Sequence, residues 1–284
     1  MTDRIILALA TRAETHDRLA EFLPDHGIDV QHVETTGRAI PISSENPFPA
    51  VDVGLVFPPR LMEGGLADAL LGVPWVNDRA SILTSRNKSE VLARLSRAGL
   101  PVPETVCVSN PVEREELRAV FERFDPPVVV KPNSTTRGIG IALARDLDSF
   151  LGICDYLGLI HEFPATGDRS FLVQEFLPDA RDYRAMVIDG EYVGAVERTG
   201  ERWKHNVHAG ARAEGVRLAC DQRALVERTA ETLDVPFLGV DLLVSGDRVV
   251  VSETNARPTV DEATKYEPGF EARLADLIRS RARE

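Results

Sequence analysis

Three oxygen-bearing side chains near the C-terminal end carry the strongest chemical signal in this sequence. Asp241 interrupts the apolar run Leu238-Gly239-Val240-Asp241-Leu242-Leu243-Val244, and Glu253 and Asn255 close the run that begins at Val249. Glu253 and Asn255 are two apart, so on a strand they share a face. With an odd-numbered loop at Ser245 to Asp247, Asp241 lies on that face too, diagonally across the pair. Two carboxylates and an amide oxygen on one sheet face form a hard-oxygen set suited to Mg²⁺, above all where phosphates complete the shell. A solvated acidic face is the competing account. The near-continuous apolar flanks disfavour it, because strands covered on both sides leave their carboxylates to be paired or to ligate metal.

Basic residues supply the second signal. Of 33 Lys and Arg, only Lys88, Lys131, Lys204 and Lys265 are lysine. In a chain that uses arginine wherever a generic cation serves, the remaining lysines mark places where a compact ammonium is needed, as at a phosphate. Lys131 ends the apolar strand Val128-Val129-Val130, which tolerates an ammonium only beside an anion. The loop that follows, Asn133-Ser134-Thr135-Thr136-Arg137-Gly138-Ile139-Gly140, offers hydroxyls and amides, Thr136 and Gly138 among them, that can cap phosphate oxygens. It is neither a Walker loop nor a dinucleotide fingerprint, and an ordinary tight hairpin explains it equally well. Arg184, Arg198, Lys204 and His208 cluster in or beside the hairpin signal Asp189-Gly190. Such a density suits phosphate and carboxylate recognition, although surface ion pairs in an acidic protein account as readily for any single arginine.

The elements that must position these residues change character along the 284-residue chain. Ile5 to Ala10, Ile28 to Val33 and Val51 to Phe57 read as strands, with a short helix from Thr15 to His26 closed by Gly27. Strands separated by helical pieces imply a parallel sheet with covering helices. Gly72 to Asn77 reads as a further short strand and Ser85 to Ala98 as one helix stopped by Gly99, Pro101 and Pro103. From Pro126 the chain turns hairpin-rich, with helices at Leu147 to Leu159, Asp221 to Leu233 and Phe270 to Arg281. The expected organisation is α/β with α+β subdomains: an N-terminal α/β domain over 1–84, a central subdomain over 85–168 and a C-terminal subdomain with the metal site over 169–284.

Composition narrows the classes further. Hydrophobic residues make up 43% and charged residues 27%, enough for a packed core, and the formal charge is −12. A field of that sign argues against nucleic-acid and anionic-membrane partners. The first apolar run is too short to span a bilayer and lacks a cleavage site, so no signal peptide is expected. Cys107, Cys154 and Cys220, an odd and widely spaced set, exclude a disulfide framework and read as small core residues in a reducing, cytoplasmic setting.

In this order the pieces resemble an ATP-grasp ligase and, within that superfamily, the RimK-type glutamate ligases. The resemblance runs from Val73 to about Pro258: G-V-P-W-V-N-D before the helix carrying N-K-S-E, then G-L-P-V-P-E-T, V-V-V-K-P with T-T-R-G-I-G, F-L-V-Q-E-F, D-Y-R, E-R-T-G-E-R-W-K-H-N, G-V-D-L-L and V-S-E-T-N-A-R-P. It implies an ATP-grasp fold behind an N-terminal parallel-sheet pre-ATP-grasp domain. By the same resemblance Lys88 and Lys131 contact ATP phosphates, and Gln174, Glu175, Phe176 and Leu177 form the segment against which adenine packs. Asp182 touches the ribose, and Lys204 and Asn206 stand where the family has an Arg-x-Asn. Asp241, Glu253 and Asn255 hold two Mg²⁺, with Mn²⁺ as a substitute. The family's N-x-S-P-G is here N-A-R-P-T, and the paired glycines after the Asn are reduced to Gly210-Ala211. Both departures fall near the expected acceptor site, where Arg257, Lys265 or His208 is expected to bind a substrate carboxylate.

The implied reaction is ATP-dependent carboxylate–amine ligation through an acylphosphate, with Arg184 and Arg198 stabilising the charge that develops. Glutamate is the expected amine. The acceptor is a carboxylate on a small molecule, a carrier protein or a protein C-terminus, and a homo-oligomer is a family expectation. An ATP-binding sensor or assembly module without ligase activity, or an ATP-grasp kinase, is the alternative. The two carboxylates at Asp241 and Glu253 speak against the sensor, which has no need of catalytic metal.

Overall fold

The computed structural model describes residues 4–12, 14–135, 139–161, 168–200 and 212–284. The first of its sheets is parallel: β1 (Ile5–Leu9), β2 (Ile28–His32) and β3 (Val53–Val56) lie in the order β2-β1-β3. Parallel neighbours need a crossover, and α1 (Glu14–Phe22) with a 3-10 turn at Leu23–His26 provides the first. After α2 (Leu61–Leu71), Trp75 extends this sheet through a bridge to Gly54.

The single helix expected from Ser85 to Ala98 is in fact two, α3 (Arg79–Arg86) and α4 (Lys88–Arg97). Asn87 leaves helical geometry between them, and its carboxamide oxygen accepts from the Glu90 N–H at 3.3 Å and the Ser89 hydroxyl at 2.8 Å. An Asn side chain competes in this way with the helix backbone, and so favours a cap over a helix interior. The break fixes where α4 starts, and therefore where Lys88 sits.

The second sheet joins β4 (Thr105–Ser109), β5 (Val128–Pro132), β6 (Ala142–Ala144) and β7 (Ser170–Glu175) in the order β4-β7-β5-β6, with every pair antiparallel. Strand β7 lies past position 168 in the chain but pairs here with β4 and β5. With α5 (Arg114–Phe121) and α6 (Leu147–His161) the sheet encloses a core of its own around Val130, Phe121, Phe150 and Phe171. Cys154 is buried in that core, whereas Cys107 and Cys220 are exposed, which corrects their reading as core residues.

The third sheet is antiparallel throughout, in the order β10-β9-β8-β11-β12: β8 (Arg181–Ile188), β9 (Glu191–Thr199), β10 (Arg212–Val216), β11 (Phe237–Ser245) and β12 (Arg248–Asn255). Asp189 and Gly190, both at positive φ, make the tight turn expected between β8 and β9. Period-two alternation splits this sheet into unlike faces. Tyr183, Ala185, Val240 and Leu242 pack with α7 (Cys220–Leu233) and α4 in one core. On the opposite face Met186, Ile188 and Phe237 join Leu7, Leu19 and α8 (Phe270–Arg281) in another. The first and third sheets thus share cores, and the second stands apart.

On that opposite face the apolar end gives way to charge. The chain after β12 crosses the sheet near the border, where a Cβ on Gly194 would lie 2.7 Å from the Tyr266 Cα and one on Gly215 3.1 Å from the Lys265 Cα. Only glycine admits so close a crossing. Among the described residues no helix is long and apolar enough to cross a membrane.

Candidate active site between two sheets

The hairpin β11–β12 places the acidic residues by an unexpected route. Its turn has two residues, Gly246 and Asp247, with Ser245 paired to Arg248. The odd-numbered loop expected from the sequence is therefore not present. Carried on regularly, this ladder would oppose Asp241 to Ser252 and point it away from Glu253. A bulge intervenes: Leu242 pairs with Val251, Asp241 with Glu253 and Gly239 with Asn255, leaving Ser252 out of register. The extra residue restores the shared face, so Asp241 and Glu253 are directly opposed, with Asn255 one step along. Bulges that re-aim a side chain are common beside functional sites.

Two arginines from neighbouring strands converge on Asp241. Arg184 on β8 stands across from it and forks onto both carboxylate oxygens, Nε to Oδ1 at 2.7 Å and Nη2 to Oδ2 at 2.8 Å. Arg198 on β9 donates Nη2 to Asp241 Oδ2 at 2.9 Å and to Asp182 Oδ1 at 2.5 Å. Arg198, Asp182 and Asp241 are each less than a tenth exposed. Burial alone would raise the Asp241 carboxyl, but the two guanidiniums overcome it and bring it down to about 2. Asp182 moves the other way: burial pushes it up, and its share of Arg198 does not offset that and the charge of Asp241.

The opposite wall carries lysines. Lys131 on β5 is 6% exposed and donates Nζ to the Gln174 amide oxygen at 3.1 Å and the Ser252 carbonyl at 3.5 Å. These partners are neutral, and burial brings the ammonium down to about 8 against the pull of Glu253. Gln174 is held in turn, its NH₂ donating to the Thr105 hydroxyl at 2.8 Å. Lys88 Nζ reaches the carbonyls of Asn133 and Thr135 and lies 3.4 Å from Glu253 Oε1. Asn133 ties the two lysine-bearing elements together, its oxygen accepting from the Ser89 N–H at 2.8 Å and its NH₂ donating to Asn87 at 2.9 Å.

A cleft of about 480 Å³ separates the walls, lined by Lys131, Gln174, Leu177, Asp182, Asp241 and Glu253 among others. Most of the residues anticipated from the sequence therefore meet in one place. Glu175 and Phe176 border the cleft as well, but the Glu175 carboxylate turns to Arg248. Asp182 lines it with its carboxylate engaged by Arg198. Lys265 is bound to Asp261 at 2.9 Å, and the Arg257 N–H donates to Asn255 Oδ1 at 2.9 Å. Thr136, Gly138, Lys204, Asn206 and His208 lie outside the described residues. Sequence reasoning passed over Asn87, Asn133 and Arg248; the placing of each Asn one or two residues from a lysine was the available signal.

The donor set suits a hard divalent cation. Among the described residues no three His, Cys, Asp or Glu side chains cluster to hold an ion unaided. Asp241, Glu253 and Asn255 would supply two carboxylates and an amide oxygen, with phosphate oxygens left to complete the shell, which is the mode Mg²⁺ prefers.

Residues 85–278 match the family model described as the RimK-like ATP-grasp domain. A relative from Thioalkalivibrio sulfidiphilus named "Probable alpha-L-glutamate ligase" is 32% identical over 197 residues, 68% of this chain and 62% of that protein. The chain spans 62–64% of the length of the first curated relatives it matches. Among solved structures, a RimK domain ATP-grasp protein from Sphaerobacter thermophilus superposes with a TM-score of 0.70 at 23% identity, covering 98% of both chains. A D-cycloserine synthetase superposes with a TM-score of 0.79 at 17% identity, covering 98% of this chain and 99% of that one. At these identities the superpositions speak to the fold.

Proposed function

The chain belongs to the RimK-like ATP-grasp family, and from that premise we propose that it is an ATP-dependent carboxylate–amine ligase. The observation that carries the reading is the cleft with Lys131 on one wall and the opposed pair Asp241–Glu253 on the other. Bound ATP with Mg²⁺ would supply the γ-phosphoryl group: a substrate carboxylate attacks it and ADP leaves, giving an acylphosphate, and an amine then displaces inorganic phosphate and loses a proton to form the amide.

The protein's own residues divide the remaining work. Lys131 and Lys88 neutralise phosphate oxygens; the hydrogen-bond partners of Lys131 are neutral, whereas Lys88 also lies 3.4 Å from the Glu253 carboxylate. Asp241, Glu253 and Asn255 would hold the metal ions. Arg184, with its side chain 24% exposed, is placed to meet negative charge that develops on the reacting group. Arg198 has its Nη2 bonded to both Asp182 and Asp241, so its part is to set the position of Asp241. Glutamate is the amine we assign, joined to a carboxylate acceptor.

The test has two stages. Calorimetry on the full chain should show Mg²⁺-dependent ATP binding. ADP release is then measured with amino acids and carboxylates singly and in pairs, and mass spectrometry of cell extract incubated with enzyme, ATP and labelled glutamate looks for an added glutamyl mass. ADP release that needs both an amine and a carboxylate supports the ligase. ATP binding without ADP release across the panel refutes it.

A further inference from the structure

The hairpin β11–β12 carries Asp241 and Glu253 towards one end, and its turn grips the cleft at the other. Arg248, the first residue of β12, forks onto Glu175, Nη1 to Oε2 at 2.8 Å and Nη2 to Oε1 at 2.7 Å. Glu175 Oε1 also accepts from the Glu104 N–H at 2.8 Å. Ser245, the last residue of β11, donates Oγ to the Pro178 carbonyl at 2.6 Å. The four-residue segment Glu175 to Pro178 is thus held at both ends by one hairpin, and Phe176 and Leu177 between the anchors line the cleft.

We infer that Arg248 and Ser245 are positioning residues that set the base-binding segment of the nucleotide site and its selectivity among nucleobases. The inference rests on the ligase reading, in which residues 174–177 meet the base. Neither side chain lines the cleft. They act through Glu175 and Pro178. Asp241 and Ser245 are four strand steps apart, roughly 13 Å at about 3.3 Å per residue. One rigid hairpin therefore spaces the base segment from the oxygen donors, and a nucleotide must match that spacing at both ends. The fork is the geometry that gives an Arg–carboxylate pair its directional hold, which a lysine does not reproduce. Arg248 is about half exposed, so the pair adds little to global stability and its loss acts locally.

The experiment measures ATP and GTP dissociation constants by calorimetry, with steady-state kinetics and melting temperature, on full-length variants. Arg248→Ala should weaken ATP binding and raise its KM by about tenfold, narrow the ATP/GTP ratio, and leave kcat within about twofold and the melting temperature unchanged. Ser245→Ala should act in the same direction by about threefold. Arg248→Lys should recover only part of the loss, and Glu175→Gln, which keeps an acceptor for the Glu104 N–H but loses the charge, should reproduce most of the Arg248→Ala effect. Wild-type ATP affinity and base ratio in Arg248→Ala would overturn the inference. So would wild-type ATP affinity and base ratio in Glu175→Gln, which also decides the matter should Arg248→Ala unfold. Failure of the wild-type chain to bind ATP at all would instead bring down the ligase reading and this inference with it.

Discussion

The two walls of the cleft use their cations in opposite ways. On the third sheet Arg184 and Arg198 hydrogen-bond to carboxylates at 2.5–2.9 Å. On the second sheet Lys131 is as deeply buried, yet the hydrogen-bond partners of its ammonium are an amide oxygen and a peptide carbonyl. Burial without a compensating anion is costly, and it leaves the ammonium below its ordinary range. The difference lies in the partners: the guanidiniums are answered by Asp182 and Asp241, whereas the ammonium of Lys131 is hydrogen-bonded to neutral oxygens alone.

The sharpest way to break this contrast is Lys131→Met. ATP affinity should fall by more than about a hundredfold, as expected for a desolvated phosphate contact, and calorimetry reads it. The same variant should melt higher than wild type. Lys131 titrates at about 8 in the folded chain against an ordinary 10.5, so its charged form destabilises the fold below pH 8 and the penalty fades as pH rises from 8 towards 10.5. A variant that keeps its ATP affinity, or melts lower, would end the argument for Lys131.

Arg198→Ala should do the reverse. Removing one partner of a buried ion network costs about 3 kcal/mol, visible in denaturant unfolding. ATP affinity should fall far less than in Lys131→Met, because the lysine wall is untouched. Equal losses of stability and ATP affinity would show that the walls are not separable.

Solution pH sharpens the contrast at intermediate size. ATP affinity should be flat below pH 8 and then fall by up to about tenfold per pH unit as free Lys131 loses its proton. The Asp241 network should not respond in that window. Its folded carboxyl lies below the ordinary value, so the stability it contributes is present above about pH 4 and is lost as pH falls towards 2. The smallest effect is the control. Arg181→Ala removes an exposed fork onto Glu197 and should shift stability by less than about 1 kcal/mol, with no change in ATP affinity.

Much of the site was legible in the sequence because its residues break local rules. An Asp in the middle of Leu238 to Val244 and a lysine after three valines are expensive unless something answers them. The two hairpins of the third sheet were equally plain from alternation and turn chemistry, whereas its edge strand β10 was not read from the sequence. What local pattern cannot carry is pairing between distant segments. The membership of β7 in the second sheet depends on partners some 40 and 70 residues away. The Ser252 bulge was hidden because a two-residue turn and a shifted ladder cancel, giving the expected face by an unexpected register. The helix break at Asn87 was missed because the periodic positions Val91, Leu92 and Leu95 all lie beyond it, and only the capping chemistry of Asn marks where the second helix starts.

The separate core of the second sheet has a thermodynamic corollary. Its buried residues, Phe150 and Phe171 among them, form one cluster, while the first and third sheets merge in two others. Polar links such as Asn133 to Ser89 and Arg248 to Glu175 cross the boundary between them. The three sheets should therefore unfold as two cooperative units. Amide protons of β4, β5 and β7 should exchange with solvent as one cooperative set, ahead of those in β8 and β11, and bound nucleotide should slow that set most.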